Sequence, residues 1–149
     1  MSDKNVALIH RWFSEVWNQG RLETIQELMA PEFVGVGQSG PEAVIRGPQG
    51  FRAFVENLRG AFPDIHVTVE DAFEAGDKVV ARWSATMTHQ GDQLGLPASG
   101  KQVRITGISI GRIVDGKIAE GWDDWDQLGM MREIGAISES KVALRAANS

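Results

Sequence analysis

The residues best suited to acid–base chemistry are concentrated late in the chain, where Ile118-Ala119-Glu120-Gly121-Trp122-Asp123-Asp124-Trp125-Asp126 carries four carboxylates in nine positions. The segment reads as a strand, so Ala119, Gly121, Asp123 and Trp125 share one face, while Ile118, Glu120, Trp122, Asp124 and Asp126 share the other. The preceding segment repeats the pattern, with Gly107, Ser109 and Gly111 on one face and Ile108 and Ile110 opposite. Two adjacent strands that both give up bulk on one face leave space for a ligand there. A carboxylate facing such a space loses solvation, so its pKa rises and it becomes a usable general base or acid near neutral pH. The competing reading makes Asp123 a solvated group or the ion-pair partner of Arg104 or Arg112, and a bulge would reverse the face assignment. Asp126 suits the N-cap of a following helical turn better than chemistry.

His89 ends another strand-like run, in which Val79, Ala81, Trp83, Ala85 and Met87 precede it on one face. It reads either as a pocket acid or donor to a ligand carbonyl, or as a structural histidine bonded to the following loop. Phe13, Trp17, Phe51, Phe54, Trp83, Met87, Ser109 and Trp125 are the residues expected to wall the pocket and bind ligand around Asp123 and His89. Other motifs lack their context. Gly35-Val36-Gly37-Gln38-Ser39-Gly40 matches a dinucleotide-binding fingerprint, but Pro41 and an extended stretch follow instead of the helix that would bind phosphate. Gly107-Ile108-Ser109-Ile110-Gly111 matches a hydrolase nucleophile elbow but lies mid-strand. The three histidines form no metal-binding spacing, and neither metal nor cofactor is expected.

Helices come first and strands after, and these elements must position the pocket. Val6, Ile9, Phe13, Val16 and Trp17 recur at helical spacing between Asn5 and Gln19. Trp12 and Trp17, five positions apart, do not share a helical face well, so one is expected inside and the other at the surface or an interface. Leu22 to Met29 forms a second short helix, Glu32 to Gly37 a brief strand, and Gly47-Pro48 opens a third helix closed by Pro63. Ile65 to Glu74 and Lys78 to His89 read as paired strands. Val103 to Val114 and Lys117 to Trp125 flank Asp115-Gly116, a strong type I′ turn signal. A last helical turn spans Leu128 to Ile134. The expected architecture is α+β, with three helices covering the concave face of a curved sheet in one domain over residues 1–137, and a weakly ordered tail over 138–149.

Composition narrows the chemistry. The chain has 149 residues, and its 15 basic against 20 acidic side chains argue against nucleic acid or an anionic membrane as partner. No signal peptide or long apolar run is visible, which predicts a cytoplasmic protein. Zero cysteines remove thiol chemistry, and zero tyrosines remove phenol as an acid or oxyanion donor.

Several stretches together resemble the SnoaL-like polyketide cyclases of the nuclear transport factor two-like superfamily. They are R-W-F-S-E-V-W-N-Q-G-R-L near the start, G-P-Q-G-F-R-A-F-V, A-F-P-D-I, G-D-K-V-V-A-R-W, T-H-Q-G, R-I-V-D-G-K-I-A-E and W-D-D-W-D-Q-L-G. The resemblance spans about residues 5–135. It implies a barrel-like α+β cone, a cavity between helices and sheet, and homodimerisation through the exposed sheet face bearing Ile108, Ile110, Ile118 and Trp122. It further implies an intramolecular aldol ring closure without metal or cofactor, in which the aspartate following R-I-V-D-G-K-I corresponds to Asp123, and the T-H-x-G match makes His89 the candidate donor. Where some members carry a histidine on the preceding strand, this chain has Ser109. The expected function is thus a cofactor-independent cyclase, lyase or isomerase acting on a hydrophobic small molecule. The alternatives are a non-catalytic dimeric binding protein and, more remotely, an epoxide hydrolase-like enzyme pairing Arg112 with Asp123.

Overall fold

The computed structural model of the protein describes residues 2–40 and 42–137; the tail expected at 138–149 lies outside the described residues. Helix α1 (Ser2–Trp12) continues into a π-helical turn (Phe13–Asn18), closed by the Gln19 N–H donating to the Ser14 carbonyl at 3.0 Å. This turn corrects the expectation for the two tryptophans. In a regular α-helix at about 100° per residue, positions five apart lie about 140° from each other. The wider i→i+5 turn brings Trp17 back to the face of Trp12, and both are buried, at 8% and 6% exposure.

Helix α2 (Glu23–Leu28) passes directly into strand β1 (Met29–Val36), which starts three residues earlier than its sequence pattern suggests. Pro31 lies in that added stretch and has no N–H to pair, and the pairing of β1 is interrupted between Met29 and Val34. A short strand β2 (Val44–Arg46) precedes α3 (Gly47–Ala61), with Pro in its first turn. Strands β3 (His66–Ala75), β4 (Lys78–Thr88), β5 (Gln102–Val114) and β6 (Lys117–Trp125) follow, then α4 (Gln127–Glu133). At the β5–β6 turn both Asp115 (φ 50°) and Gly116 (φ 76°) are left-handed, as a type I′ turn requires.

The six strands form one mixed sheet in the order β2-β1-β6-β5-β4-β3, with β1 parallel to β6 and all other pairs antiparallel. The sheet does not close into a barrel: β2 and β3 remain its edges. Helices cover one face instead, α1 lying against β3 and β4 and α3 against β1. Phe51 of α3 ties the layers together, packing edge-on to Trp12 at 5.1 Å and to Phe33 of β1 at 5.8 Å between ring centroids.

One bulge alters the expected faces of β6. Arg112 pairs with Glu120 and Ile113 with Ile118, so Ala119 is the extra residue. Ile118 is thereby turned inward and is only 4% exposed, which removes it from the outer face where alternation had placed it. Beyond the bulge the expected alternation holds. On the outer face the register aligns Phe73, Val80, Ile110, Trp122, Val36 and Val44 in a row across all six strands.

Candidate active site

A cavity of about 90 Å³ lies between helices and sheet. Phe13 and Trp17 of the π turn and Phe51 and Phe54 of α3 wall it on one side; Trp83, Met87, Ser109 and Trp125 wall it on the other, with Asp123 among them. The glycines of the inward sheet face explain why it is no larger. A Cβ at Gly107 would overlap the Trp83 ring, one at Gly111 would lie 3.3 Å from Ile9, and one at Gly121 3.3 Å from Phe33. Much of the bulk given up by the strands is therefore taken by the protein's own side chains.

Asp123 is positioned by the pairing of β5 and β6, which sets it directly opposite Ser109, while Ser109 lies opposite Ala81 of β4. Asp123 is half-buried, with part of its surface turned to the cavity. Burial among apolar groups pushes its pKa from the ordinary 3.8 up to about 6, and the Ser109 hydroxyl, placed to donate to it, pulls in the opposite direction. Trp83 Nε1–H donates to Ser109 Oγ at 2.9 Å. That bond occupies a lone pair of the hydroxyl and leaves its hydrogen for the carboxylate. Asp123 can thus exist as base and as acid close to neutral pH.

His89 is not beside it. Ala81 is the β4 residue in line with Ser109 and Asp123, and His89 is eight residues further on, about 25 Å of strand. The imidazole is 1% exposed and packed on Phe62 at 5.5 Å. Its Nδ1 accepts from the Ser99 N–H at 3.1 Å and lies 3.0 Å from Ser99 Oγ, while the backbone of His89 pairs with Lys101 and Gly100. It does not line the cavity, so of its two readings the structure supports the loop anchor.

The arginines considered as partners of Asp123 are also elsewhere. Arg112 bonds Glu120 at 2.5 Å and approaches Asp77 at 3.9 Å on the outer face, and Arg104 is exposed there. No arginine lines the cavity, so the Arg–Asp set of an epoxide hydrolase is not assembled among the described residues. Asp126 caps α4, accepting from the Gly129 N–H at 2.8 Å. Among the described residues no group of three or more potential metal ligands is found, and no helix is long and apolar enough to cross a membrane.

The sequence pattern missed Gln38. It belongs to the Gly-rich stretch after β1, is 1% exposed, and lines the cavity. Its backbone carbonyl accepts the Trp125 Nε1–H at 2.7 Å. Gly37 (φ 92°) lies so close to β6 that a Cβ there would overlap the Asp123 carbonyl oxygen. The useful signal was a polar residue between glycines that permit close approach of two backbones, rather than the phosphate-binding fingerprint that the spacing imitates.

The family model for the SnoaL-like polyketide cyclases matches residues 7–134. The aklanonic acid methyl ester cyclase DnrD of Streptomyces peucetius is 33% identical over 122 residues, covering 81% of this chain and 84% of the relative. Among solved structures, a Jannaschia sp. CCS1 protein assigned to the SnoaL-like polyketide cyclases has a TM-score of 0.83 at 29% identity, over 92% of this chain and 95% of that one. AclR of Streptomyces galilaeus, proposed to be a hydroxylase, has a TM-score of 0.81 at 26% identity, over 98% and 90%. The chain belongs to the SnoaL-like polyketide cyclase family.

Proposed function

We propose that the protein closes a ring in a polyketide-like carbonyl compound by intramolecular aldol addition, without metal or cofactor, with Asp123 as the acid–base group. The observation that carries this reading is a single carboxylate, its pKa pushed up to about 6, in a cavity walled mainly by aromatic and aliphatic side chains, with Ser109 and Gln38 as the other polar residues. The Asp123 carboxylate removes a proton from the carbon alpha to one carbonyl. The resulting enolate carbon bonds to a second carbonyl carbon of the same molecule, and the alkoxide so formed takes the proton back from the Asp123 carboxylic acid. The reaction is an isomerisation, and the carboxylate is regenerated. A cavity of about 90 Å³ is below the roughly 300 Å³ at which small-molecule pockets begin, so a multi-ring substrate must widen it on entry.

The curated relative suggests the first substrate to try, aklanonic acid methyl ester. Wild-type protein should convert it, or a related keto ester, to a cyclised isomer of unchanged mass, and Asp123→Asn should slow this by about 100-fold or more. Unchanged turnover in a folded Asp123→Asn protein would reject the assignment. Ligand binding with no turnover by the wild type would favour a non-catalytic binding protein.

The same reading includes a homodimer through the outer sheet face. Its support is the row Phe73, Val80, Ile110, Trp122, Val36 and Val44, in which Phe73 is 52% and Val44 49% exposed. Flanking rows carry Lys78, Arg112 and Glu120 on one side and Asp71, Arg82 and Asp124 on the other. A face with an apolar centre and charges of both signs on each flank can meet its own copy across a two-fold axis.

A further inference from the structure

Removing a proton beside a carbonyl places negative charge on the carbonyl oxygen, and a donor aimed at that oxygen lowers the barrier. His89 cannot supply it from its sealed position at the far end of β4. Of the polar groups on the sheet side of the cavity, Trp83 Nε1 is bonded to Ser109 and Trp125 Nε1 to the Gln38 carbonyl. The Ser109 hydroxyl accepts the bond from Trp83 and lies opposite Asp123 across the β5–β6 pair. The side-chain amide of Gln38 remains.

Its surroundings are built to hold it. Gly35 of β1 and Gly121 of β6 face each other in the parallel pair. A Cβ at Gly35 would lie 2.9 Å from both amide ends, and one at Gly121 would lie in ordinary contact, 3.5 Å from Nε2, so the amide occupies a slot that Gly35 keeps open and Gly121 borders. On the inward face of β6, Gly121 and Trp125 flank Asp123; the Gln38 backbone carbonyl meets Trp125 and its side-chain amide lies beside Gly121, which is two residues, about 7 Å of strand, from Asp123. That separation suits one ligand bridging the two groups, its reacting carbon at Asp123 and its oxygen at the amide. Yet Oε1 is buried without a hydrogen-bond partner. A native protein rarely leaves a buried polar atom unpaired unless something else is meant to meet it. The amide can turn about its last bond to present either Oε1 or Nε2.

We infer that Gln38 is the oxygen-binding residue of the site, its amide N–H donating to the ligand carbonyl and to the enolate oxygen that forms from it. This rests on the aldol reading of Asp123, and it adds a requirement: the ligand must carry a carbonyl directed toward the β1–β6 pair.

Binding and turnover separate the two ideas. At pH 8, where Asp123 is ionised and cannot donate, 2-acetonaphthone and 2-ethylnaphthalene are titrated against the tryptophan fluorescence of wild-type, Asp123→Ala, Gln38→Leu and Gln38→Met proteins. Wild type and Asp123→Ala, neither of which has a donor at position 123, should prefer the ketone by about 10-fold, and both Gln38 variants should lose that preference while keeping the hydrocarbon affinity. Because each Gln38 variant removes a buried amide oxygen that has no partner, neither should lower the melting temperature. A ketone preference that survives in a folded Gln38 variant overturns the inference, as does its absence in the wild type. Failure of the Asp123 assignment is read separately, as full turnover by Asp123→Asn.

Discussion

Replacing Asp123 by Asn should stabilise the protein as it abolishes the proposed base, and the size of that gain follows from the site. Folding moves the carboxyl from its ordinary 3.8 to about 6, a shift of about 2 units caused mainly by burial. At about 1.4 kcal/mol per unit, ionised Asp123 costs the folded state about 3 kcal/mol. The sign follows from proton binding. Between pH 3.8 and 6 the folded chain holds a proton at this position that the unfolded chain has released, so stability falls as pH rises through this window and levels off above it. Asn cannot ionise and escapes the penalty. In thermal unfolding followed by circular dichroism at pH 8, Asp123→Asn should melt about 6–12 °C above wild type, taking about 2–4 °C per kcal/mol at this chain length. The gap should narrow below pH 6 and vanish below about pH 4. Taking the difference between the two proteins cancels groups of opposite behaviour, such as Glu15, which its hydrogen bond from Arg11 holds down at about 2. A variant that melts at or below wild type at pH 8, or a gap that does not change with pH, would refute the claim that the carboxylate is desolvated.

Ser109→Ala removes the hydroxyl that favours ionised Asp123, so the acidic limb of the pH–rate profile, expected near pH 6, should move to higher pH. His89→Ala should cost about 3 kcal/mol in a urea titration, through lost packing on Phe62 and lost bonds to Ser99, yet leave turnover per folded molecule within about two-fold. A loss of turnover without loss of stability would restore the imidazole to the chemistry. Gly37→Ala meets both a left-handed backbone and the Asp123 carbonyl oxygen, and should destabilise by about 3 kcal/mol in the same titration. The proposed homodimer predicts that the wild type sediments as a dimer and that Ile110→Asp, at the middle of the outer apolar row, sediments as a monomer with the same far-ultraviolet spectrum.

What the sequence reveals depends on the range of the contacts involved. Alternation in β4, β5 and β6 correctly turns Trp83, Ser109, Asp123 and Trp125 to one side, because hairpin register carries a local pattern across neighbouring strands. The same rule fails at Ile118, since the extra residue Ala119 shows only in the pairing partner. It also fails for Trp12 and Trp17, whose common face depends on a π turn that no α-helical period describes. For His89 the face is right and the position along the strand is wrong for chemistry: a residue can share Asp123's side of the sheet and still be about 25 Å of strand away. Small residues at 107, 111 and 121 do mark a cavity, but the sequence does not tell how much of it Trp83, Ile9 and Phe33 refill.

Gln38 illustrates the harder case, and the reason is topological. Every other polar group on the sheet side of the cavity lies on the antiparallel run β4-β5-β6, where hairpins bring nearby residues together. Gln38 arrives from β1, which pairs with β6 in parallel across most of the chain. Such a pair cannot be closed by a tight turn, and its register is fixed instead by Gly35 meeting Gly121 and by Gly37 pressing on the Asp123 carbonyl. The proposed acid–base group and the proposed oxygen donor are therefore brought together by the longest-range strand pairing in the sheet. A perturbation that loosens β1 from β6 should separate their contributions, weakening ketone preference before it alters the burial that raises the pKa of Asp123.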